Sequence, residues 1–182
     1  MQKSFLLPTA IAFSAAIVFL SVNFVNATEP TEPVPTKVVA PVPHCQVPCG
    51  IYTDQLRFEQ MLEDTKTIAK SIASVETIAE AMKGGELSPT NVNQLTRWVT
   101  TKEDHASNTQ KIVAEYFLTQ RIKESNNNYT SQLIAAHKVM VAAMKCKQDA
   151  KPATAEALKA AILDLYRAYE GKEPNFEHDE KK

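Results

Sequence analysis

Apolar residues recur at three- and four-residue steps through most of this chain, a spacing that predicts helices and not strands. A first helix is predicted from about Asp54 to Met82, with Leu56, Met61, Ile68, Ile72, Val75, Ile78 and Met82 on one face. Gly84-Gly85 stops it. Ser88-Pro89 opens a second, a capping residue followed by proline in the first turn. That helix runs through Val92, Leu95, Trp98, Val99, Ala106, Ile112, Val113, Tyr116 and Phe117. The polar stretch from Thr100 to Gln110 marks either a kink in it or a functional face. Asn126-Asn127-Asn128 breaks the pattern before a third helix carrying Leu133, Ala136, Val139, Met140, Ala143 and Met144. Pro152 and Thr154 open a fourth, with Leu158, Ala161, Ile162, Leu165, Tyr166 and Tyr169 inward, and Gly171 closes it. Four amphipathic helices with short connections predict an all-α fold, an antiparallel four-helix bundle over residues 54–171 with a polar tail at 172–182.

The front of the chain is built differently. Lys3 precedes an apolar run from Phe5 to Val25, which ends in the small-residue site Val25-Asn26-Ala27. Residues 1–27 therefore read as an export signal, and the mature protein as periplasmic or extracellular. An uncleaved anchor is the alternative, because the run nearly reaches the roughly 20 apolar residues that span a bilayer; Ser14, Ser21 and Asn23 interrupt it. Residues 28–43 contain Thr-Glu-Pro twice and then Val-Pro, Ala-Pro and Val-Pro. Such a segment is a semi-rigid linker with no core of its own, open to proteases, and reads as a spacer or a propeptide. The formal net charge is −1. Removing residues 1–43 leaves it unchanged, because Lys3 and Lys37 balance Glu29 and Glu32. With no basic run and no aromatic-basic interleaving, nothing argues for nucleic acid. A membrane enters only through an uncleaved signal.

Between linker and bundle lies the densest chemistry, His44-Cys45-Gln46-Val47-Pro48-Cys49-Gly50-Ile51-Tyr52. Two thiols, an imidazole, a turn-forming proline and a permissive glycine share one short loop. Thiolate is a soft ligand, and nitrogen donors in planar geometry favour nickel or copper. In an oxidising compartment the same two thiols can instead close a disulfide. Structural zinc is a weaker alternative, since it wants four side-chain ligands and no second Cys/His pair offers itself.

This loop resembles the metal hook of the nickel superoxide dismutases, His-Cys-x-x-Pro-Cys-Gly-x-Tyr at the mature N-terminus, and every fixed position is present over residues 44–52. The resemblance implies one nickel ion per subunit, a hexamer of four-helix bundles, and disproportionation of superoxide to dioxygen and hydrogen peroxide as the metal alternates between its trivalent and divalent states. It implies thiolates of Cys45 and Cys49, the backbone amide of Cys45 and the free amine of His44 in the metal plane, with the His44 imidazole as axial ligand. Pro48 sets the turn and Gly50 permits close approach or positive φ behind the second thiolate. Tyr52 corresponds to the tyrosine beside the open metal face. Glu59, in Arg57-Phe58-Glu59, corresponds to the glutamate that orients the axial histidine once one residue is deleted between Tyr52 and Arg57. Lys102-Glu103 and Tyr116-Phe117 also have counterparts, and by that alignment the arginine completing the histidine network falls near His105.

The free amine requires a processing protease that cuts between Pro43 and His44. If the chain is not cut, the alternative is a non-enzymatic exported helical protein that binds metal or a partner. Outside the hook, His105 reads as a solvated helix face or a support for the metal site, His137 and His178 as structural or solvated, and Cys146 as a partly exposed odd thiol. Trp98, Tyr116 and Phe117 read as core. Asn128-Tyr129-Thr130 matches a glycosylation acceptor by pattern.

Overall fold

The computed structural model describes residues 50–85 and 88–176. The signal segment, the linker and the hook residues His44, Cys45, Pro48 and Cys49 lie outside them, as does His178. Four α-helices follow, α1 (Asp54–Met82), α2 (Pro89–Lys111), α3 (Tyr129–Gln148) and α4 (Pro152–Glu170). Between α2 and α3 the chain continues as a π-helical segment, Ile112–Arg121. Among the described residues no helix is long and apolar enough to cross a membrane.

The helix ends follow from local chemistry. Thr53 Oγ1 accepts from the Leu56 amide at 3.2 Å and Ser88 Oγ from the Asn91 amide at 3.1 Å, so two otherwise orphaned donors are satisfied. Pro89 and Pro152 occupy first-turn positions where a missing N–H does no harm. Gly171 ends α4 in the left-handed region at φ 68°, its amide bonded to the Arg167 carbonyl at 2.9 Å.

Side-chain contacts fix the topology. Asp54 meets Arg121 across α1 and the π segment, and Asp64 meets His105 across α1 and α2. Lys102 reaches Cys146 while Gln110 reaches Met140, so α2 and α3 are antiparallel. Gln132 with Ala168 and Cys146 with Thr154 give the same relation for α3 and α4. Successive helices pack on one another, and α4 closes the ring against α1. This is the predicted antiparallel four-helix bundle.

At the end where α1 begins, the core is aromatic. Phe58 lies 4.7 Å from Phe117 and 5.0 Å from Tyr166, centroid to centroid, and Phe117 lies 5.4 Å from Tyr169. Tyr116 and Phe117 are core residues as expected. The far end departs from the expectation. α1 is 29 residues long, whereas α3 and α4 have 20 and 19. At about 1.5 Å per residue, α1 outruns them by roughly 15 Å. Its last buried residue is Ile72, and the first in α2 is Lys102. Val75, Ile78, Leu95 and Trp98 are therefore only half-buried, and Val92 and Val99 are exposed. Trp98 is not core, because the two shorter helices do not reach it. Leu56 and Met144, also expected on inward faces, are exposed at 49% and 40%.

The polar stretch of α2 does not kink the helix. It supplies buried polar contacts instead. Lys102, 3% exposed, donates to the Cys146 carbonyl at 2.5 Å and the Lys147 carbonyl at 2.8 Å, placing a cation on the last turn of α3. Cys146 is fully buried, not partly exposed, with Sγ 3.3 Å from the Thr154 carbonyl, and burial pushes its thiol up. A helix interface encloses it, so pairing with another chain is closed to it. His137 is exposed on α3.

Candidate metal centre

The loop enters the bundle through Gly50, Ile51 and Tyr52. Gly50 sits at φ 81°, a conformation that strains any L side chain, so the glycine has a backbone reason to be there. Tyr52 is 38% exposed. Its ring lies under the Arg57 guanidinium, with Arg57 Cζ 3.4 Å from the ring centroid. Its carbonyl accepts from the Tyr116 hydroxyl at 3.3 Å, so the π-helical segment holds the root of the loop by its backbone. The π register shows in the bond from the Ile122 amide to the Phe117 carbonyl, five residues back.

Two residues on, Asp54 gathers three donors. Its carboxylate accepts from Tyr116 at 2.6 Å, Arg121 at 2.7 Å and Tyr169 at 2.9 Å. Burial alone would raise the Asp54 carboxyl, but the bonds from Arg121, Tyr116 and Tyr169 outweigh it and hold the group below its usual range. Burial, and then the bond to Asp54, push both Tyr116 and Tyr169 up to about 12. Both phenols therefore stay protonated at neutral pH. The cluster ties α1, the π segment and α4 together directly behind Tyr52. The sequence reading found Tyr116 as core but gave the carboxylate beneath it, Asp54, no role beyond the start of the first helix.

Glu59 faces a different space, an open cavity of about 1020 Å³ between α1 and α2 that Asp64, His105 and Asn108 also line. Glu59 Oε1 accepts from Gln55 Nε2 at 2.9 Å. Asp64, 4% exposed, is bonded to His105 Nδ1 at 2.6 Å and accepts from Asn108 Nδ2 at 2.7 Å and Thr109 Oγ1 at 3.3 Å. His105 is thus a partner of a buried carboxylate, not a free solvated side chain. Asp64 was missed by the sequence reading; the polar stretch of α2 that faces it was the one trace.

Of the residues singled out in the sequence, Gly50, Tyr52 and Glu59 are described, within one end of the bundle, whereas His44, Cys45, Pro48 and Cys49 are not. Among the described residues no group of three or more His, Cys, Asp or Glu side chains can hold a metal ion. The core encloses the third cysteine. The two thiols and adjacent nitrogen donors of residues 44–49, a set whose chemistry suits nickel, lie outside the described residues.

A family model described as nickel-containing superoxide dismutase matches residues 36–173. No curated protein and no solved structure matches the chain.

Proposed function

The chain belongs to the nickel-containing superoxide dismutases, an oxidoreductase family, and from that premise we propose how its residues divide the work. His44, Cys45 and Cys49 hold one nickel ion, with Pro48 and Gly50 shaping the loop around it. Bound there, nickel would supply the one-electron redox chemistry by which two superoxide ions and two protons become one dioxygen and one hydrogen peroxide.

The described residues support the surroundings of this chemistry. Tyr52 is half-open to solvent at the loop root and keeps its ring flat against Arg57, so it is placed to order an incoming small molecule. Tyr116 is not a proton source at neutral pH, since its phenol is raised to about 12 and donates to Asp54. Its role is to hold the Tyr52 carbonyl. Glu59, steadied by Gln55, orients the imidazole of His44. By the Lys102-Glu103 alignment the family's arginine falls near His105, which acts through Asp64 on the same cavity wall.

The precursor is exported on residues 1–27 and then cut before His44 by a processing protease, which frees the amine. The mature subunits assemble as hexamers. The observation that carries this reading is the complete His44-Cys45-x-x-Pro48-Cys49-Gly50-x-Tyr52 pattern, leading directly into a four-helix bundle. Protein beginning at His44 should bind one equivalent of nickel and dismutate superoxide. The chain extended back to Thr28 should bind nickel weakly and be inactive. Equal activity in the two forms refutes the role of the free amine, and a Cys45→Ser protein that keeps its nickel refutes the ligand set.

A further inference from the structure

Two arginines face the ring of Tyr116, Arg57 at 5.5 Å and Arg121 at 5.8 Å from its centroid. They differ in one respect. Arg121 is neutralised by Asp54 at 2.7 Å. Arg57 is 9% exposed and has no carboxylate partner among the described residues. Its Nη1 donates to the neutral Gln60 Oε1 at 2.8 Å, and its buried Nε has no hydrogen-bond partner. A buried cation normally carries a counter-charge, because desolvation without one is costly. Packing explains the planar side chain, since a guanidinium stacks on tyrosine. It does not explain an unneutralised charge with a free N–H. Among the described residues the nearby negative charge, Asp54, is taken up by Arg121, Tyr116 and Tyr169.

We propose that Arg57 is the anion-attracting and positioning residue of the reaction: its unpaired guanidinium draws a small monovalent anion to the Tyr52 ring and fixes that ring in place. The proposal rests on Tyr52 standing beside the metal, and it names superoxide's own charge as the feature recognised. A focused positive charge raises the encounter rate of an anion by about tenfold or more and makes that rate fall with ionic strength. Arg57→Gln removes the charge and keeps hydrogen-bonding capacity. Arg57→Lys keeps the charge and loses the planar stack.

The test is the second-order rate of dismutation by nickel-loaded protein as a function of salt, with nickel content and thermal midpoint measured alongside. Arg57→Gln should be slower by about tenfold at low salt, with a flattened salt dependence and full nickel content. Arg57→Lys should keep the wild-type slope. A salt dependence in Arg57→Gln identical to wild type, or a wild-type rate indifferent to salt, overturns the proposal. A second readout needs neither nickel nor turnover. In ¹⁵N spectra of the protein, azide should shift the Arg57 Nε–H signal, identified by its loss in Arg57→Lys, and an Nε–H that ignores azide overturns the proposal. A nickel-loaded wild type without dismutation refutes the function itself, and the azide titration then still decides whether Arg57 is an anion site.

Discussion

Replacing Asp54 with alanine removes three hydrogen bonds at once, from Tyr116 at 2.6 Å, Arg121 at 2.7 Å and Tyr169 at 2.9 Å. It leaves two tyrosine hydroxyls without their acceptor and an arginine without its counter-ion. Hydrogen bonds to a charged group contribute about 1.5–3 kcal/mol each in isolation. These three share one carboxylate and the Arg121 end is 45% exposed, so they do not add fully. A loss of about 3 kcal/mol is the expectation, with roughly 0.5 kcal/mol of it from the acid's place at the start of α1. For a chain of this size that lowers the thermal midpoint by about 10 °C. The pH dependence gives a second check. The Asp54 carboxyl lies below 3.8 in the folded protein, so its contribution is present above that value and disappears as pH falls through the folded pKa. The phenols run the other way. Both are raised from 10.0 to about 12, so their share is complete below 10.0 and disappears as pH rises through about 12. Urea unfolding of wild type, Asp54→Ala, Tyr116→Phe and the double mutant, at pH 3 and pH 7, measures the coupling. A difference between wild type and Asp54→Ala that is the same at both pH values refutes the reasoning, as does full additivity of the two substitutions.

Four further outcomes follow from contacts elsewhere. Lys102→Met should destabilise the fold by about 2 kcal/mol in urea, because the carbonyls at the end of α3 lose a buried cation; no change would mean that water replaces it. His105→Ala should cost about 1–3 kcal/mol, since Asp64 stays buried with only Asn108 and Thr109 to satisfy it, whereas Asp64→Asn with His105→Ala should cost less than the sum. In protein with Cys45 and Cys49 changed to serine, Cys146 should resist thiol reagents until denaturant is added, because it is fully buried and its pKa is raised. Gly50→Ala should destabilise the loop root by about 1 kcal/mol or more through the positive φ alone, read as a lower thermal midpoint with α1 intact by circular dichroism.

The helices were legible because capping and period act locally. Ser88, Pro89, Pro152 and Gly171 mark boundaries through their own backbone chemistry, and the structure places those boundaries where the sequence implied them. Relative length was not legible as burial. The stripe through Val75, Ile78, Val92 and Val99 has the same period as the core stripe, and only the shortness of α3 and α4 decides that it stays partly open. Period says which face is apolar, but what covers that face depends on residues far away in sequence.

The same distinction governs the site. The loop at 44–52 is readable because its chemistry is contiguous, each donor within a few residues of the next. Its support is not contiguous. Asp54, Tyr116, Arg121 and Tyr169 come from three elements, and Asp64 with His105, Asn108 and Thr109 from two. In the sequence each looks like an ordinary surface charge or core ring. The polar stretch of α2 was the one visible trace, since Lys102, His105 and Thr109 lie three or four residues apart and so share a face. A polar stripe at helical spacing within an apolar bundle implies a buried partner of opposite character. Asp64 meets that requirement for His105, Asn108 and Thr109, and the α3 carbonyls meet it for Lys102. Among the described residues Arg57 has no such partner: its neighbours Tyr52 and Gln60 are neutral, and the Asp54 carboxylate one turn away is already taken by Arg121.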